Sequence, residues 1–121
     1  MAIKLVIVDD APFIREVIRH IVAGPEFEIV GEAQDGLEAI EVVRAKKPDV
    51  VLMDIVMPRK SGIDATREIL AENPNVKVLA CSTLDQETMV MRALDAGCCH
   101  YVVKPFNKNE LLAAIRAAAK V

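Results

Sequence analysis

No run of about eighteen apolar residues, the length a membrane-spanning helix needs, occurs anywhere in this sequence. The opening residues, Met1-Ala2-Ile3-Lys4, also lack the pattern of a secretory signal. A soluble, cytosolic protein is therefore expected. Net charge is scarce: 15 basic against 18 acidic residues leave −3, too little to mark a nucleic-acid or membrane surface. Cysteine is limited to Cys81, Cys98 and Cys99, and an odd count without secretory context argues against a disulfide framework. Adjacent Cys98 and Cys99, with only His20 and His100 to help, do not match the separated ligand pairs of a zinc site. They read as small thiols packed in a reduced cell. Repeats, linkers and low-complexity stretches are missing too, so residues 1–121 are expected to form one domain around one real core.

What is present alternates. Leu5-Val6-Ile7-Val8, Val50-Val51-Leu52-Met53 and Val76 to Cys81 are continuous apolar runs rich in β-branched residues, the pattern of strands buried on both faces of a parallel sheet. Ile29-Val30-Gly31, flanked by Glu28 and Glu32, is a shorter strand suited to a place nearer an edge, and Tyr101-Val102-Val103 is a fifth. Amphipathic helices separate them. The first carries Ile14, Val17, Ile18 and Ile21 on one side and Arg15, Glu16 and Arg19 on the other, with Pro12 in its first turn. The second spans about Leu37 to Ala45, the third about Ile63 to Glu72, and the fourth roughly Gln86 to Ala96, with Gly97 fitting a left-handed position beyond its end. Asn107 and Glu110 form a capping-box-like pair before Leu111, Leu112, Ile115 and Ala119. Five βα units joined by short loops predict an α/β fold, a doubly wound parallel five-stranded sheet with helices on both faces. Such a sheet places its ligand site beyond the carboxyl ends of its strands.

The residues at those ends carry chemistry. Strand one delivers Asp9-Asp10, strand three Asp54, strand four Ser82-Thr83 and strand five Lys104-Pro105. Taken singly each has an innocent reading: Asp10 starts a helix, Ser82 begins a turn, Lys104 is a solvated charge. Together they converge on one edge, where three carboxylates repel one another unless a cation or protons intervene. Mg²⁺ suits such a cluster, since it takes oxygen ligands, uses few carboxylates and leaves positions for water or phosphate. A free carboxylate can then act as nucleophile toward a phosphoryl group, with an ammonium and a hydroxyl to neutralise and bind its oxygens.

These segments resemble the response-regulator receiver family, above all its chemotaxis members. The similarity rests on Val6-Ile7-Val8-Asp9-Asp10, on Met53-Asp54 with Met57-Pro58 and Ser61-Gly62, on Ser82-Thr83 and on Val103-Lys104-Pro105-Phe106, in the family's order over essentially the whole chain. The resemblance implies a flavodoxin-like fold with strand order 2-1-3-4-5. It implies that Asp54 is the phosphoacceptor and that Asp10, Asp54 and the backbone carbonyl of Val56 ligate Mg²⁺ (or Mn²⁺), with Asp9 acting largely through a bound water. Ser82 corresponds to the switch hydroxyl, Tyr101 to the switch aromatic and Lys104 to the phosphate-binding lysine, ahead of a cis Lys104–Pro105 bond. Implied partners are a chemotaxis-type histidine kinase, a downstream target such as a flagellar motor switch protein, and a phosphatase. The expected state is a cytoplasmic monomer that catalyses only its own phosphorylation and dephosphorylation.

Departures from the family pattern are informative. Val56 is apolar where many relatives are polar, and with Leu84 it is expected to dry the path of hydrolytic water. Thr83 is larger than the usual neighbour of the switch hydroxyl and leaves open which hydroxyl reaches the phosphate, Ser82 being favoured. Met91 on the fourth helix is a candidate partner contact, whereas Arg59 and Lys60 read as a solvated loop more than as phosphodonor attractors. Two other readings stand beside the stand-alone switch. One is a receiver cut from a larger regulator, a DNA-binding transcription factor or a chemotaxis methylesterase, whose receivers Cys81-Ser82-Thr83-Leu84 partly resembles; the end of the chain directly after the fifth helix speaks against it. The other is a phosphatase of the haloacid-dehalogenase type, which wants Asp-x-Asp after its first strand, while here the acids are adjacent.

Overall fold

A two-residue periodicity hidden inside the apolar runs divides the interior in two. The computed structural model describes residues 2–120. Its elements are β1 (Ile3–Val8), α1 (Pro12–Ile21), β2 (Phe27–Ala33), α2 (Gly36–Lys46), β3 (Val50–Asp54), α3 (Gly62–Glu72), β4 (Lys77–Ser82), α4 (Glu87–Asp95), β5 (His100–Val103) and α5 (Lys108–Lys120). Successive side chains of a strand point to opposite faces. Val6, Val8, Val51, Met53, Val78 and Ala80 pack on one face against α2, α3 and α4. Leu5, Ile7, Val50, Leu52, Leu79 and Cys81 pack on the other against α1 and α5. Leu5, Ile7, Leu52 and Leu79 are at most 1 % exposed, and burying each such side chain contributes about 1.5–3 kcal/mol against the entropy of ordering the chain.

All strand pairs are parallel, in the order β2-β1-β3-β4-β5. Strand β1 lies between β2 and β3, so consecutive connections leave it in opposite directions and open a crevice beyond its carboxyl end. Among the described residues no helix is long and apolar enough to cross a membrane. Gly97 has the positive φ expected of it, 112°.

Three details differ from the sequence expectation. Strand β2 is an edge strand, as its flanking glutamates suggested, but it is longer than Ile29–Gly31. The pairing with β1 jumps from Ile29 to Gly31, an irregularity that interrupts the alternation by which a strand is recognised. Helix α2 begins one residue early, at Gly36, because the Asp35 side chain accepts from the Glu38 N–H and caps it. The helical pattern places Arg15 on the solvent side of α1. It is instead half-buried, donating through Nε to Glu32 and through Nη1 to the Asp9 carbonyl.

Candidate functional site

Register alone brings the chemistry together. Val8 lies opposite Met53, Asp54 opposite Cys81 and Ser82 opposite Val103, so Asp9 and Asp54 stand level at the carboxyl edge, with Ser82 one position and Lys104 two positions beyond them. Asp10, next to Asp9, completes the acids. Carboxylate oxygens of Asp9, Asp10 and Asp54 lie within 4.8 Å of one another.

Asp9 is 2 % exposed and held at four points. Its backbone N–H donates to the Ala33 carbonyl at 3.0 Å, and its own carbonyl accepts from Arg15 at 2.6 Å. One side-chain oxygen accepts from the Ala11 N–H at 2.9 Å, the other from Lys104 Nζ at 2.5 Å. Asp10 is exposed and caps nothing, since Ala11 is the N-cap of α1 and makes no side-chain bond. The helix-start explanation for Asp10 therefore does not hold. Lys104 is no solvated charge either. Its ammonium also stands 3.5 Å from Asp54 Oδ1, and its side chain is 10 % exposed. Burial opposes that ammonium, but the hydrogen bond to Asp9 and the charges of Asp54 and Asp9 outweigh it and hold Lys104 above its ordinary value.

One ammonium does not balance three acids. Burial pushes the Asp54 carboxyl up to about 6, with Asp9 and Asp10 adding to the rise and Lys104 opposing it. The donor set is all oxygen, three carboxylates, and is open toward solvent at Asp10. It fits a hard divalent ion such as Mg²⁺ or Mn²⁺ better than a softer metal.

The neutral groups form a second layer. Ser82 is buried and Thr83 exposed. Ser82 Oγ accepts from the Leu84 N–H at 3.0 Å, while the Tyr101 hydroxyl donates to the Leu84 carbonyl. Leu84 thus ties Ser82 to Tyr101 through its own peptide groups. The Lys104 N–H donates to the Ser82 carbonyl at 2.8 Å, and the Lys104–Pro105 bond is cis. Val56 is 59 % exposed beside the site and Leu84 half-buried.

Sequence reasoning missed three supports. One is Arg15, which donates to the Asp9 carbonyl. Gly62 approaches the β3 backbone so closely that a Cβ there would overlap the Asp54 carbonyl. Arg59 and Lys60, expected as a solvated loop, are paired with Asp35 and Glu68. The signal available for Gly62 was its place in a motif; for Arg59 there was none, because Asp35 precedes it by 24 positions. Of the thiols, Cys81 and Cys98 are buried and free, pushed up by burial to about 12 and about 11, and Cys99 is exposed and free. Met91 is exposed, and Met89 packs partly into the core.

Residues 5–116 match the family described as the response regulator receiver domain. The chain belongs to this receiver family. The receiver is 44 % identical over 118 residues to the chemotaxis protein CheY of Listeria monocytogenes, covering 98 % of this chain and 99 % of that protein. It is 42 % identical over 131 aligned positions to a protein-glutamate methylesterase/protein-glutamine glutaminase of Pyrococcus horikoshii, covering 98 % of this chain but 35 % of that one. Among solved structures, the response regulator domain of Thermotoga maritima CheB superimposes on the receiver with a TM-score of 0.93 at 36 % identity, covering 100 % of this chain and 98 % of that one. Similarity thus extends both to a chemotaxis protein of matching length and to domains of larger regulators.

Proposed function

We propose that this receiver accepts a phosphoryl group on Asp54 from a phosphohistidine of a partner kinase and thereby changes what it binds. The observation that carries this reading is the Asp54 carboxylate, buried at the sheet edge between Lys104 and two further acids. An Asp54 oxygen attacks phosphorus, the P–N bond breaks with its electron pair left on the imidazole, and Asp54 becomes an acyl phosphate. Asp10, Asp54 and the Val56 carbonyl would hold Mg²⁺ or Mn²⁺, which would supply the positive charge that lets the acids coexist with phosphoryl oxygens. Both oxygens of Asp9 are already engaged by Ala11 and Lys104, which suits a role at one remove through water. Lys104 neutralises a second phosphoryl oxygen. Ser82 donates to a third once its bond from the Leu84 amide is released. The Leu84 shift is then felt at Tyr101, and so at the surface of α4, β5 and α5, where partner affinity changes only as far as the two states bind that partner differently.

The likeness to a chemotaxis protein over its whole length supports a stand-alone cytoplasmic monomer serving a chemotaxis-type histidine kinase. Its target on that reading is a flagellar motor switch protein, with a phosphatase to reset it. The second reading, a receiver portion of a larger regulator, is favoured by the methylesterase relative and by Cys81-Ser82-Thr83-Leu84. In either case the receiver acts on itself and turns over no separate substrate.

Incubation with Mg²⁺ and a small phosphodonor tests the reading. Intact mass should show one added phosphoryl group on the wild type and none on Asp54→Ala; equal labelling of the two would overturn it. Hydrolysis of a phosphoester with multiple turnovers would point to an enzyme instead. A further expectation concerns lifetime. Val56 and Leu84 shield the acyl phosphate from water, so Val56→Asn should shorten its half-life several-fold. An unchanged dephosphorylation rate would remove shielding as the explanation.

A further inference from the structure

Arg59 holds its backbone in the left-handed region, at φ 64°, where a side chain other than glycine is strained. It lies in the loop of residues 55–61 that carries Val56 immediately after Asp54. From there its Nε and Nη2 both donate to Oδ2 of Asp35, at 2.9 and 2.5 Å, across the mouth of the sheet. Asp35 is 3 % exposed, and its other oxygen caps α2 through the Glu38 N–H at 2.8 Å, so it is a fixed post. The next residue repeats the attachment in the backbone. The Gly36 N–H donates to the Lys60 carbonyl at 3.0 Å, and a Cβ on Gly36 would overlap that same carbonyl. At its base the loop is closed by the Gly62 N–H donating to the Ile55 carbonyl at 2.8 Å.

An ion pair with one exposed member adds little stability, and Arg59 is 59 % exposed on its side chain. The left-handed backbone it requires offsets that small gain. The effect of the pair is therefore on where the loop lies. We infer that Arg59 and Asp35 are positioning residues, whose ion pair fixes the path of residues 55–61 and so sets the Val56 carbonyl against the Asp54 carboxylate for a divalent cation. This rests on the functional reading above and names the part of the site that the loop prepares.

Two variants separate the effects. Arg59→Gly keeps the left-handed backbone without strain and removes the guanidinium. Asp35→Asn keeps an oxygen for the α2 cap and removes the anion. With no phosphodonor present, the Mg²⁺ concentration at the midpoint of the thermal shift should rise roughly 3- to 10-fold in either variant, below the 10–100-fold typical of buried outer-shell partners because Arg59 is largely solvated. The double variant should be no worse than the singles, since both remove one pair. In the metal-free proteins the Gly36 amide should exchange hydrogen faster, while the thermal midpoint hardly moves. Arg59→Lys, which keeps the charge but not the two-nitrogen grip, should recover part of the Mg²⁺ response. Arg59→Gly with an unmoved Mg²⁺ midpoint and unchanged Gly36 exchange, beside a wild type that responds normally to Mg²⁺, would overturn the clamp alone. A wild type with no Mg²⁺ response would overturn the metal-dependent reading together with it.

Discussion

Metal-free Asp54→Asn is expected to be more stable than the wild type above about pH 6, by about 2 kcal/mol, and no more stable near pH 4. Folding raises the Asp54 carboxyl from an ordinary value of 3.8 to about 6, chiefly through burial, with Asp9 and Asp10 adding to the rise. Between those values the folded chain holds the proton more tightly than the unfolded chain does. Wild-type stability therefore falls as pH rises through the window, and above it the whole penalty of burying the charge is present. A shift of about two pH units corresponds to about 3 kcal/mol, which readjustment of Lys104 and Asp9 reduces. Asparagine fills the same space without charge and escapes the penalty at every pH. Urea unfolding of both proteins in chelator at pH 4 and pH 8 checks this. Adding Mg²⁺ at pH 8 should narrow the gap, because the ion binds and stabilises the wild type preferentially. A stability difference that stayed flat from pH 4 to pH 8 would mean that charge burial is not its cause.

Lys104→Met should move stability the other way, by about 3 kcal/mol at pH 7 without metal, because breaking a buried ion pair from one side strands the partner charge. Asp9 Oδ2 loses the donor now 2.5 Å away, and Asp54 loses the only cation near it among the described residues. Methionine preserves most of the buried stem, so the loss is electrostatic rather than a cavity. Two rescues follow from the same physics. Mg²⁺ should restore much of the stability by replacing the missing positive charge. Asp54→Asn in the same chain should restore part of it by removing one like charge from the cluster. The two substitutions touch one network, so their effects should be far from additive. Denaturation curves of the single and double variants, with and without Mg²⁺, provide the measurement. A loss that neither Mg²⁺ nor Asp54→Asn altered would assign the role of Lys104 to packing.

Strands β1, β3 and β4 were readable because both of their faces are buried, which makes an uninterrupted apolar run in the chain itself. Strand β2 was read short because an edge position and a register irregularity break the pattern. Asp54, Asp9, Asp10, Ser82 and Lys104 were readable as a set because parallel strands all end at one edge. Arg15 and Arg59 were not. A helical pattern says which side of a helix is apolar, but not that a cation on the other side reaches the Asp9 carbonyl. Nor does an arginine in a loop announce a partner that precedes it by 24 positions.

The sequence by itself determined the order of the elements and the residue types that follow each strand, and with them an acceptor carboxylate in acidic company. Those properties are local, set by periodicity and by chain direction. Tertiary structure decided that Lys104 sits 2.5 Å from Asp9 but 3.5 Å from Asp54. It also decided that Ser82 is buried while Thr83 is exposed, and that burial lifts the Asp54 carboxyl to about 6. The energy of a charge depends on its distance to other charges and on the medium between them. Neither quantity exists until the chain has folded.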